Sequence, residues 1–337
     1  MTATNSSEYK GIWVFAEQRD GVIANVTFEL LGKCREFADK LGQKLSAVLI
    51  GENLEDTAHE LIYFGADEVI LADSPVFSKY RTNPYTDILV ELVNEYKPSM
   101  IIYGATSVGR DLAPRVAARL KTGLTADCLD LEVDDNGLLI QTKPSYGGNI
   151  MCKIICPNHR PQMTTVRPKV FPMPARDSSR TGEIVRKKVN IKEEDIPVKI
   201  IETAKEESKG PKIEEADVIV AGGRGLETKE NLKLIKELAD VLGGTIGVTR
   251  PLVDEGWLPP YYQIGQSGKT VKPKLIITCG ISGAVQFTVG MQSADVIVAI
   301  DKNPDAPIFN VATYGIVGRV EEIVPELIKK FKAMLNK

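Results

Sequence analysis

Ala221-Gly222-Gly223-Arg224-Gly225-Leu226 is the stretch on which the reading of this chain turns. It closes a short β-branched run at 217–221 and leads into an amphipathic pattern at 229–242, where Leu232, Ile235, Leu238, Ala239 and Leu242 recur at helical spacing. A strand that turns through glycines into a helix is the repeating unit of a parallel, doubly wound sheet. The same unit recurs at Gly280-Ile281-Ser282-Gly283-Ala284, after a strand pattern at 274–279 and before a helix expected near 284–291. Strand patterns at 245–249 and 296–300 and a helical pattern at 320–335 complete a Rossmann-like α/β domain. Glycine turns of this kind let backbone N–H groups approach a phosphate, and a helix N-terminus adds positive potential. Neither turn has the G-x-G-x-x-G spacing, so the pair together, on one edge of one sheet, carries the inference. That edge is where open α/β sheets bind ligands.

Upstream, the same alternation predicts a first domain. Strands are expected at 12–16, 44–50, 68–71 and 100–103, with helices at 26–41, 54–64, 84–96 and 109–120. This reads as a doubly wound, mostly parallel sheet covered on both faces. From 127 to 174 the pattern changes. Two strand-like runs, 129–133 and 138–142, flank Asp134-Asp135-Asn136-Gly137, a hairpin signal because Asn-Gly accepts positive φ. Prolines 157, 161, 168, 172 and 174 argue against central strands there, so an antiparallel β extension is expected. The polar segment Lys205-Glu206-Glu207-Ser208-Lys209-Gly210-Pro211 reads as a linker. The expected division is 1–204, a linker at 205–216, and 217–337.

Composition narrows the function. The 337 residues carry 42 Lys and Arg against 45 Asp and Glu, a net charge of -3 that gives no basic field for nucleic acid. No apolar run has the length a membrane span needs, and the first ten residues lack a signal or transit pattern, so a cytoplasmic setting is expected. The two histidines, His59 and His159, both precede residue 160, which leaves no histidine base in the second domain. Cys152, Cys156 and His159 lack an evident fourth ligand, and no metal is expected.

The second domain also offers Arg224, the Arg250 that follows Thr249, the Gly265-Gln266-Ser267-Gly268-Lys269 loop, Ser282 and Gln286. These groups converge on a large, anionic, hydrogen-bonding ligand, and a dinucleotide suits them better than a small acid.

Several motifs occur in one order: 221–226, Thr249-Arg250-Pro251, Gly256-Trp257-Leu258-Pro259, 264–269, Gly280-Ile281-Ser282-Gly283-Ala284-Val285-Gln286, 303–309 and Tyr314-Gly315-Ile316-Val317-Gly318. With 104–119, Gly123-Leu124-Thr125-Ala126-Asp127 and 160–168, they resemble the electron-transfer flavoprotein alpha subunit over nearly the whole chain. The resemblance implies FAD as cofactor and a beta subunit as partner, docked on the first domain. It also implies exchange of single electrons with an acyl-CoA dehydrogenase or reductase. In NADH-linked relatives ferredoxin is a further partner. By motif match, Arg224 and Arg250 should contact FAD, with Arg250 near the isoalloxazine ring. Gln266 and Ser267 should lie at the flavin edge, and Ser282, Gly283 and Ala284 should form the helix start for the pyrophosphate. The further cofactor positions implied are Thr249, Ile264, Gly265, Val285, Gln286, Phe287, Asp301, Arg319 and Val320. Phe287 stands where many relatives have a histidine donating to the flavin, which predicts a less stabilised singly reduced ring. Asp301 and Arg319 stand where relatives often have Asn and Asp, and their opposite charge changes are expected to compensate if the side chains meet. The competing reading is a self-contained NAD-binding enzyme of deacetylase-like architecture, against which the lack of a histidine base counts.

Overall fold

The computed structural model describes residues 6–145, 150–204 and 213–335. It forms two compact units, Met1–Thr203 and Ala204–Lys337. Most of the expected linker, 205–212, lies outside the described residues.

In the first unit the elements run β1 (Ile12–Ala16), a small hairpin of β2 (Gln18–Arg19) and β3 (Val22–Ile23), α1 (Asn25–Leu41), β4 (Leu45–Gly51), α2 (Glu55–Tyr63), β5 (Glu68–Asp73), α3 (Thr82–Tyr96), β6 (Met100–Gly104), α4 (Ser107–Leu120) and β7 (Leu124–Cys128). Five strands follow: β8 (Asp130–Val133), β9 (Leu139–Ser145), β10 (Ile150–Ile154), β11 (Gln162–Val166) and β12 (Glu183–Arg186). Seven of the strands pair in the order β12-β5-β4-β1-β6-β11-β7, parallel throughout. Every residue of β1, β4, β6 and β11 is buried, as strands covered on both faces require. One apolar cluster, with Leu30, Leu31 and Leu61, fills one face, and another, with Ile88, Leu92 and Leu112, fills the other.

The hairpin is where the sequence predicts it: β8 and β9 pair antiparallel, Gly137 has φ 75°, and β10 adds a third strand. The proline argument fails at β11. That strand lies inside the parallel sheet between β6 and β7, because Pro161 and Pro168 flank its five residues and remove no ladder N–H. Between β1 and β6, where the strand order reverses, the Thr106 hydroxyl donates to the Glu17 carboxylate. An acidic side chain thus occupies the place where a phosphate loop would put amides.

The second unit runs β13 (Val218–Gly222), α5 (Leu232–Leu242), β14 (Thr245–Val248), α6 (Arg250–Asp254), β15 (Leu275–Cys279), α7 (Val285–Thr288), β16 (Val296–Asp301), β17 (Tyr314–Val317) and α8 (Val320–Leu335). Its five parallel strands are ordered β14-β13-β15-β16-β17. Helices α5 and α8 pack with Ile235, Leu238, Val324 and Ile328 on one face, and Ile276, Ile297, Phe287 and Met291 fill the other. Two helical expectations need correction. The pattern at 229–242 splits into a 3-10 turn, Lys229–Asn231, and α5. The helix expected near 284–291 is the single turn α7: β-branched Val285, Thr288 and Val289, then Gly290, give it little propensity to continue. No helix among the described residues is long and apolar enough to cross a membrane.

Candidate functional site at the strand ends of the second unit

Strand order in this sheet reverses between β13 and β15, and both glycine turns leave from that point. Gly223, Gly225 and Gly280 are there in backbone contact. A Cβ on Gly225 would lie 2.6 Å from the Gly280 Cα, and one on Gly223 2.5 Å from the Gly280 carbonyl oxygen. The Gly225 N–H donates to the Gly280 carbonyl at 2.9 Å, and the Gly223 N–H to the Cys279 carbonyl at 3.0 Å. The glycines of the first turn therefore serve loop-to-loop packing, with their amides already engaged, and this turn opens no α-helix. The Gly223 and Gly225 amides are therefore not available to a phosphate.

In the second turn the amide N–H groups of Ser282, Gly283, Ala284, Val285 and Gln286 have no acceptor among the described residues, while Phe287 and Thr288 bond back to the Ala284 carbonyl. Gly283 has φ +88°, and a Cβ on it would lie 2.2 Å from the Ile308 nitrogen, so only glycine fits. α7 is too short to supply much dipole, so what the turn offers is donors.

Loop 263–269 docks against α7. Gly265 approaches Gly290 and the Gln286 carbonyl, where a Cβ would lie 2.6 Å from that oxygen. The Gln266 N–H donates to the Gln286 carbonyl at 2.7 Å. Gln266, Ser267, Val285 and Gln286 thus come together on an exposed edge. Ser267 accepts from the Gln263 side-chain amide at 3.0 Å, and Gln263 is held by a bridge to Val248, the last residue of β14. Thr249 is buried with its N–H on the Gly222 carbonyl. The side chain of Arg250, which opens α6, is 65% exposed and reaches Asp254 at 3.3 Å. Arg224 is exposed and Ile264 buried. Cys279, beneath the turns, is buried, and burial pushes its thiol up to about 12, so it stays protonated.

At the other end of the edge a small cleft, of about 30 Å³, is lined by Gly225, Glu227, Gly280, Asp301, Lys302 and Arg319, among others. Glu227 pairs with Lys302 at 2.6 Å and with Arg319 at 3.3 Å, and Arg319 also pairs with Glu321 at 2.5 Å. The Lys302 hydrogen bond, with Lys302 and Arg319 charge behind it, holds the Glu227 carboxyl below the ordinary 4.5. A depressed carboxylate keeps its pairing above that value and loses it only as pH falls through the lower folded value. Asp301 is 8% exposed and accepts from the Asn303 N–H at 2.9 Å. The expected meeting of Asp301 with Arg319 is not what holds either: the guanidinium is taken by Glu227 and Glu321 instead.

The family model of the electron transfer flavoprotein domain matches residues 12–192, and that of the electron transfer flavoprotein FAD-binding domain matches 212–292. The electron transfer flavoprotein subunit alpha of Thermoanaerobacterium thermosaccharolyticum is 53% identical over 97% of this chain and 99% of its own length. This chain belongs to the electron transfer flavoprotein alpha-subunit family. The namesake subunit of Megasphaera elsdenii is 50% identical over 97% of this chain and 99% of its own length. Subunit LctC of the lactate dehydrogenase (NAD(+),ferredoxin) of Acetobacterium woodii is 46% identical over 99% of this chain and 80% of its own length.

The alpha subunits of electron transfer flavoproteins carry electrons, and FAD is the cofactor of the matched domain. The residues here fit that group, because five successive amides without an acceptor are the donor set that a pyrophosphate needs. The self-contained NAD-binding reading is not favoured. Sequence reasoning missed Glu227, whose signal is visible only as a carboxylate three residues beyond Arg224. It also set Phe287 on the ligand side. In this electron transfer flavoprotein alpha chain the ring is 5% exposed among Ile264, Val271 and Met291. Phe287→His should therefore cost about 2 kcal/mol of stability, from the smaller ring and a buried imidazole. Thermal unfolding of the flavin-free protein checks this.

Proposed function

We propose that the second unit holds FAD along the strand ends of its sheet and that the chain passes single electrons as one half of an alpha–beta heterodimer. The observation that carries this reading is the run of acceptor-less amides at 282–286 between two unlike flanks. Ser282, Gly283, Ala284, Val285 and Gln286 would hold the pyrophosphate, with Arg224 as a nearby cation. Thr249, Arg250, Ile264, Gly265, Gln266 and Ser267 would hold the ring system. Asp301, Arg319 and Val320 would hold the nucleoside end. Bound FAD supplies one-electron chemistry. What the chain adds is position and field: Arg250 favours negative charge beside it, and the buried Ile264 and Phe287 hold the loop and turn behind it in place.

The partner proposed for the first unit is the beta subunit. In the cytoplasm the pair would serve an acyl-CoA dehydrogenase or reductase, and the LctC relative supports a dehydrogenase linked to NADH and ferredoxin. The test is the absorption spectrum and flavin content of the co-purified heterodimer, before and after NADH. A yellow protein releasing FAD is expected, and bleaching by NADH marks the NADH-linked form. A colourless protein that binds NAD but not FAD overturns the proposal.

A further inference from the structure

Glu227 has a backbone that carboxylate-bearing residues rarely adopt, φ 63° and ψ −41°, at the end of the 3-10 turn after β13. From there its carboxylate spans to Lys302, just past β16, and to Arg319, just past β17. Three loops that leave three different strands are thus tied through one side chain, across the mouth of the cleft that Gly225, Gly280 and Asp301 line. The pairs are exposed and screened by solvent, so they contribute little to stability. What the arrangement does achieve is orientation. A free arginine side chain samples many rotamers, whereas one gripped by Glu227 and Glu321 presents a fixed planar cation at the cleft.

From this we infer that Glu227 is a positioning residue for the nucleoside half of the dinucleotide, acting through Arg319. The inference rests on the FAD reading above. The rim of this small cleft suits an uncharged group laid across it better than a phosphate. Among its charged lining groups Glu227, Asp301 and Glu321 outnumber Lys302 and Arg319, whereas a flat guanidinium stacks on a purine base. A buried carboxylate such as Asp301 accepts from ribose hydroxyls.

The test is a double-mutant cycle of Glu227→Gln and Arg319→Gln in the full chain with its co-purified partner, stripped of flavin. FAD and FMN are titrated separately, by flavin fluorescence, at low and high salt. Each single variant should weaken FAD about tenfold at low salt, the double variant should be no worse than Arg319→Gln alone, and FMN, which lacks adenosine, should bind all four forms alike. The FAD gap between wild type and Glu227→Gln should shrink at high salt. If Glu227→Gln binds FAD as tightly as wild type, or if the two losses multiply, or if FMN weakens in parallel, the inference is overturned. A wild-type protein that takes up no FAD would instead sink the reading on which it rests.

Discussion

Gly280→Ala is expected to unfold the strand-end edge of the second unit while Gly243→Ala leaves it intact, although both glycines have φ in the left-handed region, +61° and +68°. At Gly243, which ends α5, a Cβ meets nothing within 4 Å. The cost there is the intrinsic one of a left-handed alanine, on the order of 1 kcal/mol. At Gly280 a Cβ would lie 2.5 Å from the Gly225 carbonyl carbon, 2.7 Å from its Cα and 2.9 Å from the Leu226 nitrogen. These are backbone atoms, and they cannot rotate out of the way as a side chain would. Pushing them apart breaks the Gly225 N–H bond to the Gly280 carbonyl and separates the two loops at the point where strand order reverses. We expect a loss of about 3–5 kcal/mol, among the larger single-residue effects. In a unit of this size that lowers the unfolding midpoint by roughly 10 °C or more. Calorimetry of the two variants side by side is the measurement; equal midpoints would show that the contact is dispensable.

Arg250→Ala should leave the unfolding midpoint nearly unchanged and lower the first reduction potential of the bound flavin. The side chain is 65% exposed and its pair with Asp254 at 3.3 Å is solvent-screened, so stability has little to lose. A fixed cation beside a ring that gains negative charge favours the reduced form by about 1–3 kcal/mol in a partly dry site. Because the guanidinium is exposed here, the lower part of that range applies. With ~1.4 kcal/mol corresponding to about 59 mV for a one-electron couple, the expected drop is on the order of 50 mV. Arg250→Lys, which keeps the charge, should recover most of it. A spectroelectrochemical titration of the three proteins decides the matter, and an unmoved potential in Arg250→Ala would remove this residue from the ring's surroundings.

Elements with a single strong period were legible from the residues alone. The α8 pattern at 320–335 and the Asn136-Gly137 hairpin appear where periodicity and turn chemistry put them. What was not legible depends on neighbours distant in sequence. β11 is flanked by prolines and looks like a loop until β6 and β7 supply its ladder on both sides. β12, four residues beside β5, is too short to announce itself. The helix expected after the second glycine turn stops at one turn because its β-branched residues have little helical propensity and because Gly290 serves close packing against Gly265. At the candidate site the glycine turns were found, but for a partly different reason: one gives up its amides to packing and the other keeps them available. Glu227 was invisible because nothing in its local sequence distinguishes a bridging carboxylate from a solvated one.

The mutual contact of Gly225 and Gly280 also sets how this site can be altered. Each position is confined by the main chain of the other, so neither loop can be rebuilt alone, and a bulkier residue on one side has no compensating smaller residue on the other. What can change without disturbing that junction is the rim, the exposed side chains of Arg224, Gln266, Ser267 and Arg319, where a substitution alters the grip on the ligand rather than the fold. A designer wishing to retune the carrier should keep the inner hinge of bare backbone and exchange only the outer ring of side chains.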